Sequence, residues 1–309
     1  MGNTPRWIER VGLADASGLL RGAVRLETDP MGSWLSALTP SDVERFERDG
    51  YVVVRQAFSS ADALAMERQW WRELAESHGI LPDDRSGWRQ IRGDLKAAKH
   101  DALQAKILTE RVHGVFDDLL GQGAWSRPRN WGRSLVTFPE PGPWELPTGH
   151  WHWDNPCELH LDRPRALFVV SFIGSVAPRS GGTLILSGSP RLLINQERRI
   201  PESQRSGLGA LPWDRFHRSH PWLMELTGRV PSRVDRIAAF MDEETLVEGV
   251  PLRVVELTGE PGDMVFCHPV MVHCVAQNRG TRPRFMRIKQ QVLTHEGREL
   301  RRRLEDPTS

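Results

Sequence analysis

Gly149-His150-Trp151-His152-Trp153-Asp154-Asn155-Pro156 sets three potential metal ligands against two tryptophans in strict alternation. Alternation is the period of a β-strand, whose successive side chains point to opposite faces. The stretch therefore predicts a strand over His150–Asp154, with His150, His152 and Asp154 on one face and Trp151 and Trp153 packed in the core on the other. A histidine and a carboxylate two residues apart supply two of the three ligands of a 2-His-1-carboxylate triad, which holds non-haem Fe(II) and leaves one face of the ion open. The third ligand is then a histidine distant in sequence, on a strand packed beside this one, and His273 is the candidate.

Downstream, Pro261-Gly262-Asp263-Met264-Val265-Phe266-Cys267-His268-Pro269-Val270-Met271-Val272-His273 carries two histidines of opposite strand parity. Pro269 cannot continue a regular ladder, so a bulge or kink separates them, and His268 is read as a core or strand-end residue. Asn278-Arg279-Gly280 is a turn signal. An antiparallel hairpin centred between Asn278 and Arg279 would set His273 opposite Arg284, with Cβ atoms about 5 Å apart. From there the Arg284 guanidinium would fork onto a carboxylate of a small diacid whose other end chelates the metal. Arg282, which precedes Pro283, and Arg287, of the wrong parity, are weaker rivals.

Upstream, Thr39-Pro40 with Asp42 begins a helix that Gly50 stops. A buried strand follows at Tyr51–Val54. A longer helix runs from a Ser59 or Ser60 cap to His78, and a third covers Thr109–Leu120. From about residue 130 the pattern changes to short strands between Gly and Pro. These are Ser134–Phe138, His150–Asp154, Ala166–Val176, Thr183–Leu186, Leu252–Leu257, Asp263–Phe266, Val270–Ala276 and Arg284–Leu293, with Gly181-Gly182 as a tight turn between two of them. Short strands behind an opening set of helices predict a mainly β protein with helical cladding around a jelly-roll core. The chain is read as one domain over 1–309: an arm at 1–37, helical cladding at 38–125, and the core at 130–295. The core carries a polar insert at 189–250 with helices at Pro221–Leu226 and Ser232–Asp242.

Composition narrows the class. Hydrophobic content of 39% and charged content of 26% suit a soluble globular chain with a sizeable core. A net charge of +1 gives no field to recruit nucleic acid or an anionic membrane. No apolar run approaches the length of a membrane span, and the N-terminus shows no secretory signal. Three cysteines without CxxC spacing argue against a disulfide framework and a structural zinc site, so a cytoplasmic location is expected. The expected partner is a small molecule. Arg301-Arg302-Arg303 is read as solvated surface in a polar C-terminal tail.

Taken together, the residues resemble the phytanoyl-CoA dioxygenase family of Fe(II)- and 2-oxoglutarate-dependent oxygenases over roughly residues 38–295. The resemblance lies in Leu38-Thr39-Pro40 with Phe46 and Asp49-Gly50-Tyr51-Val52-Val53, and in Trp151-His152-Trp153-Asp154, similar to the family's W-H-x-D. It continues in Gly181-Gly182-Thr183-Leu184 with Gly188-Ser189-Pro190-Arg191, and in Gly262-Asp263, His268-Pro269, His273, Asn278 and Arg284. Pro190 departs from the family's usual histidine, which is not a ligand. The family spaces its distal ligand and its 2-oxoglutarate-binding arginine as His273 and Arg284 are spaced here. What this implies is a double-stranded β-helix, an iron held by His152, Asp154 and His273, 2-oxoglutarate bound to the metal and to Arg284, and O2 as oxidant. It also implies a contact from the Thr183 hydroxyl to 2-oxoglutarate, and oxidation of an aliphatic C–H rather than halogenation, since Asp154 keeps the carboxylate. Substrate specificity is expected to come from the segments 80–100 and 189–250, and a tailoring step on a specialised metabolite is the expected setting. The chain's end, Asp-Pro-Thr-Ser, is not a peroxisomal Ser-Lys-Leu address and argues against an acyl-CoA role.

Other readings stay open at this point. His150 shares the ligand face and is either a ligand of a cupin-type dioxygenase independent of 2-oxoglutarate or a pocket residue; Glu158 is too distant to complete the cupin pattern. Trp213 and Trp222 line a substrate pocket or simply pack. A relative that only binds a ligand, without catalysis, would show no affinity for iron.

Overall fold

The computed structural model describes residues 36–91, 93–96, 102–154, 164–201, 213–232 and 234–305. The chain divides into two units, Met1–Ser36 and Ala37–Ser309. Except for Ser36 and Ala37, the arm expected at 1–37 lies outside the described residues.

Helix α1 (Pro40–Asp49) begins where the local chemistry requires. The Thr39 hydroxyl accepts from Asp42 N–H, the Asp42 carboxylate accepts from Thr39 N–H, and Gly50 closes the helix at φ +83°. Strand β1 (Tyr51–Val54) follows, then α2 (Ser60–His78), capped by Ser59, and α3 (Glu110–Leu120), capped by Thr109. Eight further strands build the core: β2 (Arg133–Thr137), β3 (Ala166–Phe172), β4 (Thr183–Ser187), β5 (Thr245–Val247), β6 (Val250–Glu256), β7 (Met264–Cys267), β8 (His273–Val275) and β9 (Arg284–Leu293). Every pairing is antiparallel. One sheet runs β1-β7-β3-β9-β2, the other β5-β6-β4-β8, the double-sheet jelly roll that a double-stranded β-helix presents.

Three apolar layers show how strand parity was used. Between the sheets lie Phe168, Val170 and Phe172 of β3, Ile185 of β4, Val265 and Cys267 of β7, and Met286 of β9. The alternate residues of the five-stranded sheet, among them Leu167, Val169, Phe266 and Phe285, face outward onto Met66, Trp70 and Leu74 of α2 and Val112, Val115 and Phe116 of α3. Outside the four-stranded sheet, Leu184, Leu186, Leu252, Val254 and Cys274 are covered by residues of 189–250. A central strand buried on both faces reads as a continuous apolar run, and β3 does.

Four expectations are corrected. The segment 189–250 is not simply polar: α4 (Ser189–Arg198), α5 (Trp213–His217), α6 (Pro221–Leu226) and a single π-helical turn (Ala238–Asp242) carry Leu192, Leu193, Ile194, Phe216, Leu223, Leu226 and Phe240 into the outer core. Gly181-Gly182 does not join a hairpin, because β3 and β4 belong to different sheets. The C-terminal arginines Arg301 and Arg302 are exposed but sit on a helix, α7 (His295–Glu305). The fourth concerns His273 and Arg284, which do not face one another across a hairpin. β8 lies at the edge of the four-stranded sheet and β9 within the five-stranded one.

The turn between β8 and β9 is pinned to its surroundings instead of folding back on itself. Asn278 Nδ2 donates to Thr137 O and Arg282 O, its Oδ1 accepts from Gly280 N–H, and its carbonyl accepts from Glu140 N–H. Pro283, just before β9, has no N–H for a ladder.

Candidate metal centre

The described part of the quoted stretch, Gly149–Asp154, forms no regular strand. It makes a single antiparallel bridge on the edge of β8, in which His152 N–H donates to His273 O at 3.0 Å and His273 N–H donates to His152 O at 2.8 Å. His150 stands at φ +63°, a left-handed conformation that turns the backbone just before the bridge and ends the alternation there. Trp151 and Trp153 are buried in the outer core, as their parity required.

His152, Asp154 and His273 come together, with ligand atoms all within 4.8 Å of one another. Asp154 lies between the rings: His152 Nε2 is 3.8 Å from Oδ1 and His273 Nε2 is 3.5 Å from Oδ2. Both spans are shorter than the roughly 4 Å that two metal–ligand bonds of about 2 Å can bridge. Each ring is oriented by its other nitrogen. Nδ1–H of His152 donates to His150 O at 2.8 Å, and Nδ1–H of His273 donates to Met271 O at 2.9 Å. A carbonyl only accepts, so each Nδ1 carries the proton and each Nε2 presents its lone pair toward Asp154, the tautomer a metal ligand needs. His273 is buried and stacked on Phe168, with ring centroids 4.8 Å apart, and burial holds its pKa below the usual histidine value. The donor set fits Fe(II). His150 is not a member of it; the residue is exposed and lines the neighbouring cavities.

His273 pairs with Ile185 and Arg284 with Thr137, so both point into the space between the sheets from opposite walls. Arg284 is 3% exposed. Its Nη1 donates to Gly181 O and its Nη2 to Thr137 Oγ1 at 2.6 Å, while Nε has no partner. Among the described residues no carboxylate lies within ion-pair distance, and burial brings its pKa down to about 10. A buried guanidinium with an idle donor and no carboxylate in contact, Glu256 acting on it only through space, is a poor structural element and a suitable anchor for an anion, so it fits 2-oxoglutarate.

The loop bearing Gly181 is held by Glu256, whose carboxylate accepts from Arg179 N–H at 2.7 Å and Gly182 N–H at 3.0 Å. Gly182 admits no side chain, since an added Cβ would lie 2.3 Å from Leu257 O. Thr183 is buried and paired with Val275. Thr137 and Glu256 escaped the sequence reading because each acts through a partner more than a hundred or about seventy residues away.

Two cavities meet at His152. One, of about 430 Å³, is lined by Thr148, Gly149, His150, Trp151, His152, Trp213, His217, Thr227 and Arg229. The other, of about 720 Å³, shares Thr148, Gly149, His150 and His152 and is completed by Glu145, Cys274, Val275 and Gln277 among others. Trp213 thus lines a cavity. Trp222 lines neither; it packs edge-on against Phe240 with centroids 4.9 Å apart.

The sequence model of phytanoyl-CoA dioxygenase matches residues 46–286, more than three quarters of the chain. The chain belongs to the phytanoyl-CoA dioxygenase family. It is by that membership a non-haem Fe(II)/2-oxoglutarate-dependent enzyme, and the metal triad is in keeping with it. No curated protein matches the sequence significantly. Among solved structures, similar chains include SnoK, a non-haem α-ketoglutarate-dependent carbocyclase from nogalamycin biosynthesis. It is 17% identical with a TM-score of 0.46, over 85% of this chain and 87% of SnoK. HygX from Streptomyces hygroscopicus, solved with nickel and 2-oxoglutarate bound, is 15% identical with a TM-score of 0.46, over 81% and 85% of the two chains. EctD from S. alaskensis is 18% identical with a TM-score of 0.45, over 83% and 78%. Family membership rests on the sequence match and not on these distant likenesses. Among the described residues, no helix of this phytanoyl-CoA dioxygenase family member is long and apolar enough to cross a membrane.

Proposed function

We propose that the chain oxidises an aliphatic C–H bond of a small molecule, in a tailoring step on a specialised metabolite. His152, Asp154 and His273 are the metal ligands and Arg284 the anchor for the far carboxylate of 2-oxoglutarate. When bound, iron with 2-oxoglutarate and O2 supplies an oxidant able to attack an unactivated C–H bond, one oxygen atom entering succinate as CO2 is lost. The chain's own contribution is placement. The carbonyls of His150 and Met271 hold the two imidazoles in the metal-binding tautomer. Thr137 and Gly181 hold the guanidinium on the opposite wall. The insert contributes Trp213, His217, Thr227 and Arg229 to the wall of the smaller cavity, alongside the segment Thr148–His152, which suits a dedicated substrate.

The observation that carries this reading is the pairing of three convergent donors, the two histidines held by hydrogen bonds at their far nitrogens, with a buried arginine that has an idle Nε and no carboxylate in contact. It is tested by anaerobic titration of the metal-free protein with Fe(II) and then 2-oxoglutarate, following the weak visible metal-to-ligand charge-transfer band. The band should form in the wild type, and Asp154→Ala should lose iron binding. Iron binding without a band would favour a dioxygenase independent of 2-oxoglutarate. Absence of iron binding would leave a ligand-binding relative without catalysis.

A further inference from the structure

The 430 Å³ cavity beside His152 has a one-sided electrostatic character. Among the described residues lining it there is no carboxylate, and Arg229 is the one side chain with a permanent charge. Asp214, whose Oδ1 takes the Arg229 Nε–H at 3.1 Å, is not part of the lining, and its Oδ2 also receives Arg218 Nε–H at 2.8 Å. One carboxylate shared by two guanidinium groups leaves a unit of positive charge on this wall. Arg229 Nη2 lies 3.3 Å from His217 Nδ1, and Nη1 has no partner among the described residues. His217 is buried, and burial followed by the neighbouring Arg229 brings its pKa down to about 4, so the ring is a neutral acceptor for Arg229.

A second feature points to the same occupant. Trp213 is 50% exposed, whereas Trp70, Trp131, Trp151 and Trp153 are buried. Its ring stands edge-on to His152 at 5.5 Å and to Trp153 at 6.1 Å, which fixes it at the entrance to the metal centre. An aromatic face held rigidly in water gains by being covered. The larger cavity differs, for it carries Glu145 and no arginine among the described lining residues.

We propose that the smaller cavity takes the substrate by an anionic group, a carboxylate or a phosphate monoester, on Arg229, with a flat apolar portion of the same molecule against Trp213. Its remaining end then reaches the open side of the metal next to His152. Only that last clause rests on the oxygenase reading.

The test uses the whole protein loaded anaerobically with Fe(II) and saturating 2-oxoglutarate, so that Arg284 is already occupied. Three probes of one shape are titrated by calorimetry: 1-naphthoate, 1-naphthyl phosphate and the neutral 1-naphthamide. At least one anion should bind tenfold or more tightly than the amide, and which anion does so identifies the group. Arg229→Gln should abolish that preference, Arg229→Lys should keep part of it, and Trp213→Ala should weaken all three probes alike. The charge-transfer band, retained in Arg229→Gln, reports that the fold and metal centre are intact. Equal binding of the three probes, no binding at millimolar concentration, or a preference that survives Arg229→Gln would overturn the assignment. If the band is missing in the wild type while the anion preference is present, the oxygenase reading fails and the anion site stands.

Discussion

Replacing Arg284 by Met separates an arginine kept for a ligand from one kept for the fold. In the free protein the guanidinium is buried, has an idle Nε, and meets no carboxylate within ion-pair distance among the described residues. Its pKa, brought down to about 10 by burial from an ordinary 12.5, means the native state holds that proton less tightly than the unfolded chain does. A basic group with a depressed native pKa costs stability at every pH below that range, here at most about 3 kcal/mol at neutral pH. Methionine has similar length and no charge to desolvate. It forfeits the bonds to Gly181 O and Thr137 Oγ1, worth about 1.5–3 kcal/mol each when the donor is charged. The two sides largely offset, so denaturant unfolding of ligand-free Arg284→Met should cost no more than about 3 kcal/mol. Binding of 2-oxoglutarate should behave differently. A forked arginine–carboxylate contact has two charge-assisted bonds, and losing about 3–6 kcal/mol corresponds to a dissociation constant roughly 10²- to 10⁴-fold weaker. The assay pair is urea denaturation without ligand and anaerobic titration of the charge-transfer band with it. A variant that lost more than about 4 kcal/mol of stability while binding 2-oxoglutarate within threefold of wild type would refute the reasoning, since that is the behaviour of a structural arginine.

Glu256→Gln should weaken 2-oxoglutarate severalfold and leave Fe(II) affinity unchanged, because its carboxylate holds the loop whose Gly181 carbonyl steadies Arg284; separate metal and co-substrate titrations check this. His217, neutral in the native state with a pKa of about 4 against an ordinary 6.5, contributes stability that is present above about pH 6.5 and lost as pH falls toward 4. The wild type should lose about 2 kcal/mol more than His217→Gln between pH 7 and 4.5, read from denaturation midpoints at the two pH values. Trp70→Ala should cost about 3–5 kcal/mol in chemical denaturation. That ring is fully buried, meets Phe285 at 5.9 Å, and carries the Arg287 guanidinium 5.0 Å above it; a loss under 1 kcal/mol would mean the site collapses without a cavity.

The parts of the fold legible in the sequence were those whose signals are local. Thr39 with Asp42, Gly50, Ser59, Gly79 and Thr109 mark helix ends because an N-cap acceptor and a left-handed glycine act within one turn of the backbone. The alternation of His152 and Asp154 with Trp151 and Trp153 likewise described which side each residue takes, although His150 fell out of it by adopting positive φ. Strand partnership was not legible. Eleven residues from His273 to Arg284 suit a hairpin and a crossing between sheets equally well. What decides is where Asn278 finds its acceptors, on the distant Thr137 as well as the nearby Arg282. β5, only three residues long, carries too little periodicity to notice. α4 was announced by Ser189-Pro190 at a helix start, but the charged Arg191, Glu197 and Arg198 around its apolar run drew the segment into a polar reading. Arg229 and His217 carry no pattern of their own; only the folded insert brings them beside His152.

The reciprocal pair of backbone bonds between His152 and His273 has a kinetic meaning for the metal. These two proposed ligands are 121 positions apart in the chain, and the bridge that aligns them exists only once β8 has docked beside the earlier segment. The three-ligand site is therefore complete only on the assembled scaffold, so tight iron binding reports that β8 has docked. A chain severed anywhere between the two histidines would leave one in each fragment, and the return of tight iron binding on mixing would then be a direct clock for the reunion of the halves.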